Sequence, residues 1–197
     1  MANEAESALL REARTGDNLA FDELQQRLEP PIRRFVRRLI GVSHAEDDIV
    51  QDTFIALYKN MARIEPVENL RPYLFRIARN RCYDELRGLG RYDEVSLDDE
   101  PMTNWVSYNL EDDSPEPDDL VHWLFIYMEV QEAMERLPEL QRQALILYME
   151  QNLSYAEIAE AMDTTIGTIK SRLHHAKKTL RALLRPEIRE LLEESFG

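Results

Sequence analysis

The chain has one cysteine, six glycines, few aromatics and no run of eighteen apolar residues. Cys82 alone cannot form an internal disulfide, and no Cys/His spacing matches a zinc site. His174 and His175 are adjacent, and on a helix they point about 100° apart, a poor geometry for sharing a metal. No metal or other cofactor is expected. The N-terminal MANEAESALLREART lacks an apolar signal core and no stretch is long enough to span a bilayer, so the expectation is a cytoplasmic protein without membrane insertion. There is no Gly-rich phosphate loop and no Ser/His/Asp set in a recognisable context, which argues against an enzyme. Basic residues are also scarce. The 24 Lys and Arg face 38 Asp and Glu, a net charge of −14, so indiscriminate adhesion to nucleic acid is excluded and any such contact must be local.

What is present reads as globular, with 44% apolar and 31% charged residues over 197 positions. Charge divides the chain. Phe21 to Gly90 holds twelve basic and eleven acidic residues, whereas Arg91 to Leu120 holds one Arg against eleven acids, with Pro101, Pro115 and Pro117. The spacing predicts a domain over 1–90, an acidic linker over 91–120, a second domain over 121–185 and an acidic tail over 186–197. Almost everything outside the linker has helical periodicity, so the fold class is all-α, two helical domains joined by the linker. Asp17 or Asn18 caps a helix expected to kink at Pro30-Pro31. Ser43 and Glu46 form a capping-box pattern before Ile49, Val50, Phe54, Leu57, Tyr58 and Met61. Asn69 is placed to cap a third helix that tolerates Pro72 in its first turn and ends at Gly88 or Gly90.

Two stretches have the chemistry to touch nucleic acid. LSYAEIAEAMDTTIGTIKSRLHHAKKTL reads as a helix-turn-helix: Ser154 and Glu157 form a capping box, and Asp163-Thr164-Thr165 is the turn. Ile169, Leu173, Ala176 and Leu180 form the buried stripe of the second helix. Thr168, Lys170, Ser171, Arg172, His174, His175 and Lys178 lie on its other faces. From Thr164 to Arg185 there are six Lys or Arg and no acid, whereas a solvated face of an ordinary hairpin mixes signs. Such a helix can enter the major groove, its Lys and Arg reaching bases or phosphates. On RPYLFRIARNRCYDELR, Arg76, Asn80, Tyr83 and Arg87, with Arg79 beside them, gather opposite Leu70, Leu74, Ile77 and Ala78. That face suits a single strand, with rings stacking on bases and Arg holding the backbone. A surface helix whose Asp84 and Glu85 pair with neighbouring arginines is an equal reading. A third patch, Asp48, Gln51 and Asp52 beside Ile49 and Phe54, is either a helix N-terminus favoured by its dipole or a partner surface.

In this order, AEDDIVQDTFIALYKN, RPYLFRIARNRCYDELR and LPELQRQALILYMEQNLSYAEIAEAMDTTIGTIKSRLHHAKKTLRALL resemble the extracytoplasmic-function (ECF) class of bacterial sigma factors. The resemblance covers about residues 18–90 and 125–185. It implies a promoter-directing subunit of bacterial core RNA polymerase, with Asp48, Ile49, Gln51, Asp52 and Phe54 docking on the β′ clamp helices. Arg76, Arg79, Asn80, Tyr83 and Arg87, with the loop over 63–69, would read and melt the minus-ten element. Thr168, Lys170, Ser171, Arg172, His175 and Lys178 would read the minus-thirty-five element as duplex. The stretch Leu137 to Met149 would pack its domain and hold the β flap, and an anti-sigma factor is an implied partner. Asp98, Asp99, Glu100, Asp112 and Asp113 in the linker would lie in a basic channel of the polymerase, in place of a flexible tether. Tyr73 stands where many members have Trp, and His175 where Arg is common. A free-standing helix-turn-helix regulator would bind duplex DNA without polymerase; a helical adaptor would bind protein only.

Overall fold

The computed structural model describes residues 2–88 and 117–189, with side chains over 4–88 and 125–189. Helices α1 (Ala2–Arg14), α2 (Asn18–Ile40), α3 (Ala45–Asn60) and α4 (Leu70–Gly88) form one domain. Two 3₁₀ turns, Met61–Arg63 and Val67–Asn69, join α3 to α4. The second domain contains α5 (Pro117–Glu135), α6 (Glu139–Met149), α7 (Tyr155–Ala161) and α8 (Ile166–Leu183). No strand occurs among the described residues, so the protein is all-α.

The first domain is built around α2. Leu24, Leu28, Ile32, Phe35 and Leu39 recur at three- and four-residue steps and are buried against Ile49, Val50, Phe54 and Leu57 of α3 and Leu70, Leu74, Ala78 and Cys82 of α4. Phe35 and Phe75 meet edge to face with centroids 5.1 Å apart. Each large side chain so buried contributes on the order of 1.5–3 kcal/mol. Asp17 caps α2, accepting from the N–H groups of Leu19 (2.9 Å) and Ala20 (3.2 Å). The helix continues through Pro30-Pro31, and it ends where Gly41 takes a positive φ.

Two local expectations are corrected. The Ser43/Glu46 capping box does not form: Ser43 Oγ accepts from Ala45 N–H, and the buried Glu46 carboxylate turns to Arg33 (2.9 Å) and Arg37 (2.6 Å) on α2. Two guanidinium partners outcompete one backbone N–H for a carboxylate taken out of water. Asn69 does not stand before α4 as an isolated cap; it belongs to the 3₁₀ turn leading directly into that helix.

In the second domain the Ser154 capping box is present: Ser154 N–H donates to Glu157 Oε2 (2.8 Å), and Glu157 N–H to Ser154 Oγ (3.3 Å). The turn after α7 places Asp163 at φ +50°, a left-handed conformation that Asp tolerates better than most residues. Thr165 then caps α8 by accepting from Thr168 N–H (3.1 Å). Ile158, Ala159 and Met162 pack against the α8 stripe Ile169, Leu173, Ala176 and Leu180, all buried. Helix α5 begins at Pro117, so the last four residues of the expected linker are helical. Asp98, Asp99, Glu100, Asp112 and Asp113 lie outside the described residues. Of the expected tail, 186–189 form a helical turn with Ile188 buried, and 190–197 lie outside the described residues.

The domains pack on one another, α4 against α6 and α7. Between the domains, too, Arg38 of α2 donates to Gln131 and, at 3.4 Å, to the Tyr127 hydroxyl of α5, and pairs with Glu150 at 3.0 Å.

Candidate nucleic-acid interface

On α8 the stripe and the cap settle which way the helix faces. Lys170, Ser171, His175 and Lys178 are exposed and Thr168 is half-buried, its hydroxyl 2.9 Å from that of Thr165. His174 is also exposed, its ring 5.6 Å from that of His175. Arg172 differs from these. It is half-buried at the domain junction, near Arg79 and Tyr83 of α4. Burial, and then the like charge of Arg79, push its guanidinium below the usual range, with Tyr83 acting in the opposite direction.

Helix α4 divides its candidate residues. Asn80 and Arg87 are exposed, and Arg87 pairs with Asp84 at 3.4 Å. Arg76 lies over the ring of Tyr73 at 5.6 Å and Arg79 over that of Tyr83 at 4.6 Å. Tyr83 is not on the open face that the spacing predicts. It is 6% exposed, and its hydroxyl accepts from Nε2 of Gln143, a residue of α6 that is fully buried. Arg79 Nε donates to Gln143 Oε1 at 2.9 Å, and Gln143 Nε2 also donates to Glu139 at 2.6 Å. One glutamine thus satisfies two of the α4 candidates, and a periodicity argument confined to α4 has no means of seeing it. Ile77, placed on the apolar side, is only half-buried.

The third patch also splits. Asp48, Gln51 and Asp52 are exposed on α3, with Asp52 3.7 Å from Arg81. Ile49 and Phe54 are buried in the core and hold the helix in place, so they present no surface to a partner. Ile55, which the spacing argument passes over, is 42% exposed and follows Asp48, Gln51 and Asp52 at seven, four and three residues, one side of the helix. Within Leu137 to Met149, Leu137 and Ala144 to Leu147 are core, while Phe125 and Met128, three residues apart on α5, are exposed. This pair stands in the apolar stretch Leu124 to Met128, where the sequence alone does not mark which side chains are exposed.

Burial pushes the Cys82 thiol far above its ordinary value, which removes it as a reactive group. No group of His, Cys, Asp and Glu suited to a metal occurs among the described residues. No described helix is long and apolar enough to cross a membrane.

Residues 24–92 match the family Sigma-70 region 2, and residues 127–180 match Sigma-70, region 4. The chain is 33% identical over 155 residues to the ECF RNA polymerase sigma factor EcfG of Rhodopseudomonas palustris, covering 79% of this chain and 80% of that protein. It is 30% identical over 173 residues to the ECF RNA polymerase sigma factor SigE of Mycolicibacterium smegmatis, over 86% of this chain, and spans 65% of that longer relative. The solved structure of the sigma factor RpoE in complex with the anti-sigma factor NepR from Bartonella quintana is similar with a TM-score of 0.59 at 28% identity, over 83% of this chain and 95% of that one. Two helical domains in this order, the second a capped helix-turn-helix, together with relatives of this identity and coverage, have one reading: the chain belongs to the extracytoplasmic-function class of RNA polymerase sigma factors.

Proposed function

We propose that the protein binds bacterial core RNA polymerase and directs it to a set of promoters, reading the minus-thirty-five element with α8 and opening the minus-ten element with α4. The observation that carries this reading is the acid-free α8, with Lys170, Ser171, His175 and Lys178 in solvent on a capped helix-turn-helix of an otherwise acidic chain. The exposed side of α3, Asp48, Gln51, Asp52 and Ile55, is the surface offered to the β′ clamp helices. Phe125 and Met128 are offered to the β flap. Asn80, Arg76, Arg79, Tyr83 and Arg87, with the loop over 63–69, are the groups for a melted strand, where rings stack on unpaired bases and arginines hold phosphates.

In the packed arrangement Gln143 covers Tyr83, and Arg172 is drawn in beside Arg79. Reading both elements therefore requires α6–α8 to move away from α4, which polymerase binding would bring about. The RpoE relative was solved with an anti-sigma factor, and a partner of that kind would hold this chain closed. Net charge of −14 opposes phosphate, so the free chain binds promoters weakly and gains specificity on the polymerase. The test adds the purified chain to bacterial core polymerase with a library of promoter fragments. Specific transcripts starting at a shared motif are expected, and failure to bind core or to start any would overturn the proposal.

A further inference from the structure

Helix α1 carries none of the motifs discussed so far, yet it grips the loop between α3 and α4. Arg14 is 17% exposed in its side chain and makes three charge-assisted bonds to that loop. Its Nε donates to the Met61 carbonyl at 2.8 Å, one terminal nitrogen donates to the Ile64 carbonyl, and the other to Glu65 Oε1 at 2.9 Å. One turn earlier Arg11 is 3.6 Å from Glu68. Two turns before Arg14, the buried Glu6 holds Arg71, at the start of α4, through two bonds of 2.8 and 2.7 Å. The loop's inner side is fixed by Ile64 and Val67, both buried, while Ala62, Arg63, Glu65, Pro66 and Glu68 are exposed. Leu10 and Ala13 anchor α1 itself in the core.

We infer that α1 is a positioning element for promoter reading, with Arg14 as the residue that fixes the shape of the loop over 61–69. The inference rests on the reading above that this loop meets the minus-ten strand. A planar guanidinium spanning two carbonyls and a carboxylate sets the distance between Met61 and Ile64 in a way that no single donor can. The exposed residues of the loop, Arg63 above all, then meet a flipped base from one defined backbone. Arg14 itself need not touch DNA. Its effect would be on the discrimination among bases rather than on affinity for the polymerase, because α3's exposed side is formed by other contacts.

The experiment uses the full chain with core polymerase and a promoter library randomised within the minus-ten element, first confirming that the wild-type holoenzyme selects a motif. Absence of any wild-type motif would count against the sigma-factor reading, not against Arg14. With a motif in hand, Arg14→Ala and Arg14→Lys are compared with wild type. Arg14→Lys keeps a cation for Glu65 but loses the fork, so it separates shape from charge and guards against simple unfolding. Both variants are expected to flatten base preference by about fivefold, the lower end of what one base contact provides. Minus-thirty-five preference and core affinity should stay at wild-type levels. Unchanged minus-ten preferences in Arg14→Lys, or a uniform loss at all promoters that tracks core affinity or thermal stability, would overturn the assignment.

Discussion

On α8 the candidate DNA-contacting side chains Lys170, Ser171, His175 and Lys178 stand in solvent, whereas on α4 Tyr83 is covered and Arg79 is turned onto Gln143. Both helices present arginines and polar groups opposite an apolar stripe. The difference has two parts: α4 lies against α6, whose Gln143 takes up Tyr83 and Arg79, and the two helices differ in charge sign. Helix α8 has no acid of its own, so its cations cannot pair within the helix. Helix α4 mixes Arg81 and Arg87 with Asp84 and Glu85, and its basic face can be satisfied by protein groups. A run of one sign thus excludes pairing within its own helix, which an aromatic and basic face that carries acids does not, although neighbouring elements can still cover a member such as Arg172.

The largest effect that can break this comparison comes from Tyr83. If α4 were open there, Tyr83→Ala would change stability by less than about 0.5 kcal/mol, as exposed substitutions usually do. Buried between Arg79 and Gln143, the ring should cost about 3 kcal/mol when removed, since it leaves a cavity and an amide donor with one acceptor fewer. Urea unfolding of the free chain measures it, and the value decides whether the domains pack on each other in solution.

A smaller effect is expected at Arg172, where the two helices meet. Arg172→Ala should reduce minus-thirty-five selectivity by about 1–3 kcal/mol, the range of one base contact, with core affinity intact. Because Arg172 is partly desolvated beside Arg79, its removal also relieves a like-charge contact, so the melting temperature of the free chain should not fall. A drop in core affinity would mean that α8 is not the reading helix; a drop in melting temperature would mean that Arg172 supports the junction.

The C-terminal helix-turn-helix was legible because its signals are local: the Ser154 box, the Thr165 cap and four stripe residues lie within about two helical stretches of sequence, and all behave as periodicity predicts. Of the expected apolar stripe before the loop, Ile49, Val50, Phe54 and Leu57 are core for the same reason, whereas Tyr58 is exposed and Met61 only half-buried. What escaped depends on contacts distant in sequence. Gln143 meets Tyr83 from 60 residues away, and Arg14 meets Met61 from 47. Glu46 matched a capping pattern, yet Arg33 and Arg37 claimed it from the neighbouring helix. Ile49 and Phe54 were assigned to a partner surface because an acidic patch and an apolar stripe share one helix; only packing tells which of its sides is free. At α1, the spacing of Glu6, Leu10 and Ala13 was a readable sign of a packed helix, although nothing in it pointed to the loop that helix holds.

The smallest effect concerns Arg185, a member of the basic run that an acid of a neighbouring helix meets. Arg185 donates its backbone N–H to Glu129 of α5 at 3.0 Å and its Nε at 2.6 Å, closing the end of α8 onto α5. The backbone N–H foremost, with the guanidinium adding to it, holds the Glu129 carboxyl below the usual range. A depressed carboxylate contributes stability that is fully present above its unfolded pKa and is lost as pH falls through the lower folded value. Since Arg185 is largely exposed and the pair is screened, the contribution at neutral pH should be about 1 kcal/mol or less. Glu129→Gln should therefore melt slightly below wild type at pH 7, and the two proteins should converge as pH is lowered through and below the ordinary glutamate range. A difference that persists in acid would show that the amide fails for reasons of packing. No difference at pH 7 would mean that the Glu129–Arg185 pair adds nothing measurable to the folded state.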